Sequence, residues 1–180
     1  EKRSLIDLQL FLENLTVSSK KPTAHFHHYL FTHAPQGLDK NCDIVPKEKR
    51  PEREVLWVWE THCALKQIGT FVEKLKTLRL YENSQVLFFS DHGQHGSCHS
   101  GANLAPGFFS VTPHSCIRAH RGFLLAKKPG SKGPLQFSDF PASLVDIAPT
   151  VCRQWLPKQK CQHYDGVNLH QIEDSSRAQK

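Results

Sequence analysis

The sequence predicts an α/β fold, a mainly parallel sheet with helices on both faces. Three observations carry that expectation. Elements alternate in the order helix, strand, helix, strand, loop, strand, helix, the pattern that builds parallel sheets. The longest periodic segment, Glu52 to Leu80, has apolar residues at 64, 65, 68, 71, 72, 75 and 78, the spacing of one helix face. After it, Val86-Leu87-Phe88-Phe89 is a short apolar run of the kind that forms buried strands, and it stops at Ser90-Asp91-His92-Gly93. In open α/β sheets ligands bind just past the carboxyl ends of strands, so Asp91 and His92 stand where a metal or an anion would be held. A turn that merely ends the strand would use the same residues.

Leu5 to Leu15 carries apolar residues at 5, 6, 8, 10, 11, 12 and 15, which predicts a first helix ending before Ser18-Ser19-Lys20-Lys21-Pro22. His25 to His33 predicts a strand by its aromatic content, broken by Ala34-Pro35-Gln36-Gly37. His33 then sits at a strand end, as Asp91 does. Leu38 to Pro51 is polar, carries Cys42 and two prolines, and reads as a surface loop. Val55 to Trp59 extends the face of the long helix with two tryptophans. Within that helix Glu60 reads as a satisfied polar contact and His62 as a partly exposed histidine.

Tyr81 to Ser84 connects to the apolar run. Gln94 to Ser115 is long and irregular, rich in Gly, Ser, Pro and His, and contains His95, His99 and His114. Loops of that length are usually functional or disordered. Phe123 to Ala126 predicts another short strand and Lys127 to Pro134 a basic turn. Ser143 to Trp155 predicts a helix. Its apolar residues at 144, 148, 151 and 155 mark the expected buried face, and Asp146 and Pro149 suit its first turn. Residues 171–180 read as a frayed polar tail.

The chain has 180 residues, 38% hydrophobic and 22% charged, which is globular composition rather than disordered. No window approaches the roughly 18 apolar residues of a membrane span, and no signal-peptide pattern opens the chain. There is no methionine, even at position 1, which predicts a processed chain or a fragment. The net charge of +6 favours an anionic partner. The basic residues form no single stripe, and no helix-turn-helix, RNA-binding or zinc-finger pattern occurs, which argues against nucleic acid. The six cysteines include no C-x-x-C pair, so disulfides in an oxidising compartment are favoured over a zinc knuckle. Cys152 and Cys161 are close enough to close a small loop. Asn14-Leu15-Thr16 is a glycosylation acceptor triplet. Together these predict a secretory, extracellular or lumenal protein. Free buried cysteines in a cytosolic protein are the alternative.

Five landmarks carry a more specific resemblance. "ALKQIGTFVEKLKTL" followed by "NSQVLFFSDHG" resembles the C-terminal half of the alkaline phosphatase superfamily, its sulfatase-like branch in particular, which includes phosphoethanolamine transferases and lipoteichoic-acid synthases. "RAHRGFLLAKKPG" resembles the strand which that family places after its variable loop. "SLVDIAPTVCRQW" is similar to its D-[IL]-x-P-T helix start, and "YDGVNL" to its closing segment. "YLFTHAPQG" resembles the segment carrying a substrate- or metal-facing histidine.

The resemblance implies that Asp91 and His92 bind a catalytic divalent metal. Carboxylate plus imidazole suits zinc or manganese better than calcium. Family members with Asn in place of this His are the calcium-using sulfatases, so His92 points to the phosphatase or phosphotransferase side. His33 would face the substrate or a second metal. His114 and His120 are catalytic candidates, and Arg118 and Arg121 would bind the substrate anion. The family's nucleophile and first acidic ligands belong to an N-terminal half that is absent here. Gln94 replaces an acidic residue that often follows the motif, and Leu65 stands where the long helix usually carries Asp.

The expectation is therefore one C-terminal portion, 1–180, of a sulfatase-like domain. By family it is a metal-dependent hydrolase or transferase for phosphate or sulfate esters, inactive alone without the nucleophile half. Its substrate would be an anionic small-molecule, lipid or glycan ester. A catalytically silent binding protein with a partial metal site is the first alternative. An unrelated metal module using His95, Cys98 and His99 is the second.

Overall fold

A computed structural model describes residues 2–17, 22–93 and 122–174. They fall in two compact units, Glu1–Glu82 and Asn83–Lys180. No helix among the described residues is long and apolar enough to cross a membrane.

The first unit is built on two helices, α1 (Lys2–Asn14) and α2 (Arg53–Thr77). Leu8 and Leu12 of α1, one turn apart, are buried. The inward stripe of α2 is Leu56, Glu60, Cys63 and Leu75. Its centre is polar, so the apolar count misplaces part of the face: Leu65, expected inside, is 50% exposed. The rotation is set by bonds to one loop. Cys63 is disulfide-bonded to Cys42. Glu60 Oε1 accepts hydrogen bonds from Gly37 N at 2.6 Å and Leu38 N at 3.3 Å. Glu60 thus makes the polar contact expected of it through one carboxylate oxygen, Oε1.

Leu38 to Pro51 is mostly exposed, as expected of a surface loop, but the same bonds bury its first residue. Leu38 is 1% exposed and bridges Ile44 in antiparallel fashion. Asp39 Oδ1 closes the intervening turn by accepting from Asn41 N and Asp43 N at 2.8 and 3.0 Å.

His25 to His33 does not form the expected strand. Residues 22–30 have no regular secondary structure, although alternate rings meet: His25, His27 and Tyr29 stack, and Phe31 meets Tyr29 at a tilt. Centroids lie 6.1 Å apart for His25 and His27, 5.9 Å for His27 and Tyr29, and 6.0 Å for Tyr29 and Phe31. That is the period of two of an extended chain. A strand also needs a ladder partner, and among the described residues this segment has none.

Phe11 of α1 packs on His27 with ring centroids 4.0 Å apart. Desolvation, and then the charge of His25, lowers the His27 pKa. The folded state therefore binds fewer protons than the unfolded state just below the ordinary histidine value of about 6.5, and stability rises with pH there. Acidifying through that value and below should destabilise the first unit, as followed by melting on Trp57 and Trp59 fluorescence. His27→Phe should flatten the pH slope, and an unchanged slope would refute the assignment.

The second unit contains β1 (Val86–Phe89), β2 (Leu124–Lys127) and α3 (Ile147–Trp155), with a 3₁₀ turn at Leu144–Asp146 before α3. The strands pair antiparallel, with Val86 opposite Lys127 and Phe89 opposite Leu124. This overturns the predicted α/β fold: the described residues hold three α-helices and a two-stranded antiparallel sheet, with no extended parallel sheet. Alternation of elements implies a parallel sheet only if each strand finds a parallel neighbour. Here two strands pair with each other and the third expected strand pairs with nothing described. Strand burial agrees. Val86 is buried but Phe89 is exposed, unlike a strand covered on both faces.

The helix over Ser143 to Trp155 forms, but its buried face is not the expected one. Leu144, Ala148, Val151 and Trp155 are all exposed, whereas Pro149, Thr150 and Cys152 are buried. Polar bonds made by Asp146 and Thr150 orient the helix, and Cys152 is tied to Cys161 by the expected small disulfide loop.

Candidate functional site

The candidate site begins where β1 ends. Ser90 continues the ladder by one residue: its N–H donates to Phe123 O at 2.9 Å, and its Oγ accepts from Phe123 N at 2.7 Å. A Cβ on Gly122 would lie 3.1 Å from both Ser90 O and Ser90 Oγ, so glycine keeps this close approach open. Ser90 therefore fixes the strand end, and the reactive groups are the two residues after it.

Asp91 and His92 are both exposed. Asp91 Oδ1 accepts from His92 N at 2.9 Å, which turns the carboxylate back over its neighbour. His92 Nδ1 lies 2.6 Å from Gly93 O. A carbonyl can only accept, so Nδ1 carries the hydrogen and the ring lone pair is on Nε2. Metal-binding histidines are held this way, with the second ring nitrogen donating to a carbonyl or carboxylate. His92 Nε2 and Asp91 Oδ2 are 3.7 Å apart. Donors sharing one tetrahedral ion at about 2.0–2.2 Å lie roughly 3.4 Å from each other, so a small ring rotation lets this pair fit one divalent ion. Among the described residues no group of three or more His, Cys, Asp or Glu is placed to hold a metal.

His33, in the first unit, repeats the local arrangement. It is exposed, and its Nδ1 lies 2.6 Å from Ala34 O, which again leaves the lone pair on Nε2. His114, His120, Arg118 and Arg121 lie outside the described residues, as do His95, Cys98 and His99. Asn14 is the exposed last residue of α1, and its Nδ2 donates to Leu10 O at 2.7 Å.

Two of the family landmarks prove to be halves of one latch. Asp146 is 5% exposed. Its Oδ2 accepts from Ser143 N at 2.7 Å and its Oδ1 from Val167 N at 2.8 Å. Thr150 Oγ1 donates to Asp146 O at 2.6 Å and accepts from Leu169 N at 2.8 Å. So "DIAPT" grips "DGVNL". Gly166 has φ +87°, and a Cβ there would stand 2.7 Å from Asp146 Oδ1 and from Val145 O.

Gln85 ties β1 to this latch. Its Nε2 reaches Thr150 O at 3.3 Å and His170 Nε2 at 3.0 Å, while its Oε1 accepts from Trp155 Nε1 at 3.0 Å. Sequence reasoning passed over Gln85, whose type and position carry no signal. For the latch a signal existed: Asp146 and Thr150 are polar residues four apart in the otherwise apolar stretch from Leu144 to Cys152.

Over 80 residues, 40% of this chain, the sequence is 32% identical to the ulvan-active sulfatase of Formosa agariphila, and the match covers 16% of that protein. The chain thus spans a small share of the length of this relative. No protein-family model matches the chain, and no solved structure matches it.

Proposed function

We propose that this chain contributes two ligands, Asp91 and His92, to the divalent-metal site of a sulfate-ester hydrolase. The observation that carries the reading is the pair itself: one imidazole held by Gly93 O in the tautomer with its lone pair on Nε2, with a carboxylate oxygen 3.7 Å from that nitrogen. Similarity to a sulfatase supports sulfate over phosphate among the expected esters. When bound, zinc or manganese would act there as a Lewis acid on an ester oxygen. The chain's own groups do the positioning. His92 N orients the Asp91 carboxylate, and Ser90 and Gly122 pin the strand end that presents both.

In this reading His33, His114 and His120 are candidates for contact with the reacting group, and Arg118 and Arg121 for the anion. The substrate is an anionic small-molecule, lipid or glycan ester. Calorimetric titration of the full chain with Zn²⁺ and Mn²⁺ tests the ligand pair. Asp91→Ala and His92→Ala should each weaken binding about tenfold or more. Wild-type affinity in either variant would remove that residue from the site.

A second reading is a catalytically silent binding protein that keeps a partial metal site. It is favoured by one fact: the described residues offer two donors and no third. Neither reading expects turnover by the 180-residue chain alone, so the test joins it to the N-terminal half that the hydrolase reading requires. Metal-dependent turnover of an aryl sulfate, lost in Asp91→Ala, would decide for the hydrolase. Metal binding without turnover there would decide for the silent protein.

The two disulfides among the described residues support an extracellular or lumenal location. There Asn14 would be glycosylated. A glycosylated amide keeps one N–H, so the bond to Leu10 O survives. Chain made in a secretory host should show a mobility shift, removed by N-glycosidase and absent in Thr16→Ala. Identical mobility throughout would exclude the modification.

A further inference from the structure

The first unit carries a depression of about 410 Å³ that the Asp91–His92 reading does not use. It is lined by Ala34, Pro35, Gln36, Arg50, Pro51, Arg53 and Leu56. It is a shallow hollow, open on one side, rather than an enclosed cavity. The lining is mostly apolar, and Arg50 and Arg53 supply its two cationic residues.

The guanidinium groups point to an anion. Arg50 is half-buried, and its Nε donates to Val45 O at 3.2 Å, which anchors the stem of the fork. Among the described residues neither Arg50 nor Arg53 is in an ion pair. A half-buried cation without a counter-charge is costly unless a ligand supplies one. Neither Glu52 nor Glu54, the nearest carboxylates in sequence, lines the depression.

The backbone adds to this. Arg53 opens α2, and its N-cap residue Glu52 makes no side-chain cap bond. Val55 N and Leu56 N donate to Glu52 O, so the N–H groups of Arg53 and Glu54 are the open donors of the first turn. The positive end of the helix dipole and two planar forks thus meet at one depression.

We propose that this depression binds the sulfate or phosphate group of a monoester, with Arg50 and Arg53 clamping the oxyanion and Pro35, Pro51 and Leu56 receiving the organic part. The site is independent of the metal reading. It recognises a charged ester without acting on it.

Trp57 follows Leu56 in the chain and supplies a fluorescence signal, with calorimetry as a second readout. The probes are glucose 6-sulfate, glucose 6-phosphate and inorganic sulfate. Saturable binding of at least one sugar ester is expected. Arg50→Ala and Arg53→Ala should each weaken it about fivefold or more. Arg50→Lys should weaken it too, because an ammonium cannot form the bidentate fork. Lys49→Ala removes the same charge from an exposed neighbour outside the depression and should leave binding unchanged.

The tighter of the two sugar esters identifies the source of the oxyanion. Equal binding of inorganic sulfate would overturn the role given to the apolar lining. No saturable binding, wild-type affinity in both arginine variants, or an equal loss in Lys49→Ala would overturn the site. Arg53 is exposed and bonds nothing structural, so Arg53→Ala keeps the test open should Arg50→Ala fold poorly.

Discussion

Asp146→Ala is expected to unfold the second unit, lowering its stability by about 3–5 kcal/mol. The estimate follows from what the carboxylate holds. Two backbone N–H groups, Ser143 and Val167, donate to its two oxygens. A hydrogen bond to a charged group contributes roughly 1.5–3 kcal/mol, and donors stranded by truncation keep their desolvation cost. One bond caps the turn before α3 and the other fastens the closing segment 21 residues later. Losing both frees "YDGVNL" from the helix, and Thr150 then keeps only its bond from Leu169 N against that segment. Asp146→Asn should fall between wild type and Ala, since an amide has one acceptor where the carboxylate uses two. Gly166→Ala should resemble the Ala variant. Its φ of +87° strains an L-residue, and its Cβ would press on the same Oδ1. Hydrogen exchange over residues 143–170 is the direct measurement. Protection within about 1 kcal/mol of wild type in Asp146→Ala would show that the latch does not hold this unit.

How far the fold could be read in the sequence depends on which force placed each element. Helix positions followed from periodicity, because local hydrogen bonding and an apolar stripe suffice to form a helix. Inward faces did not follow. In α2 the stripe turns on Glu60 and Cys63, and in α3 on Asp146, Thr150 and Cys152. Hydropathy scores those residues as polar or neutral, yet their bonds to distant backbone or sulfur decide the rotation. In α3 the result is that Leu144, Val151 and Trp155 stay exposed. Strand pairing was the least legible level. Val86–Phe89 and Leu124–Lys127 both form, but no local signal says that they pair antiparallel, nor that His25 to Tyr29 stacks alternate rings without forming a ladder with any described strand.

Of the candidate site, the position of the two central residues was legible and their surroundings were not. Asp91 and His92 were marked by an apolar run ending abruptly in a carboxylate and an imidazole, and they do stand just past a strand end. Chain adjacency guaranteed their proximity. What it could not supply was the tautomer of His92, which depends on Gly93 O, or the anchoring of Ser90 to Phe123, which depends on a partner 33 residues away. The Arg50–Arg53 depression was hidden for a related reason. Lys47 to Arg53 intersperses its basic residues with Glu48 and Glu52, so no basic stripe shows along the chain, but in space both arginines line one depression and form no ion pair with described residues.

Glu60→Ala is the second large effect expected, about 3–4 kcal/mol in the first unit. Glu60 is fully buried, and a single oxygen accepts from both Gly37 N and Leu38 N. Truncation strands two buried donors and leaves a cavity in the stripe that carries Cys63. The Cys42–Cys63 bond remains and closes a loop of 21 residues, a constraint of about 3 kcal/mol on the unfolded chain. The unit should therefore not come apart at once. Residues 36–38 should loosen first, seen as lost exchange protection, while the turn at Asp39–Asp43 stays tethered. Gln36 lines the oxyanion depression, so ester binding should weaken in the same variant. Glu60→Gln should cost much less than Ala. Its amide oxygen can take the place of Oε1 and accept both bonds, and a neutral group is cheaper to bury than a carboxylate. Asp146 gives the contrast: there both oxygens are used, and the amide cannot serve both donors. A Glu60→Gln variant as damaged as Glu60→Ala would mean that the charge, and not the acceptor oxygen, holds Gly37 and Leu38 in place.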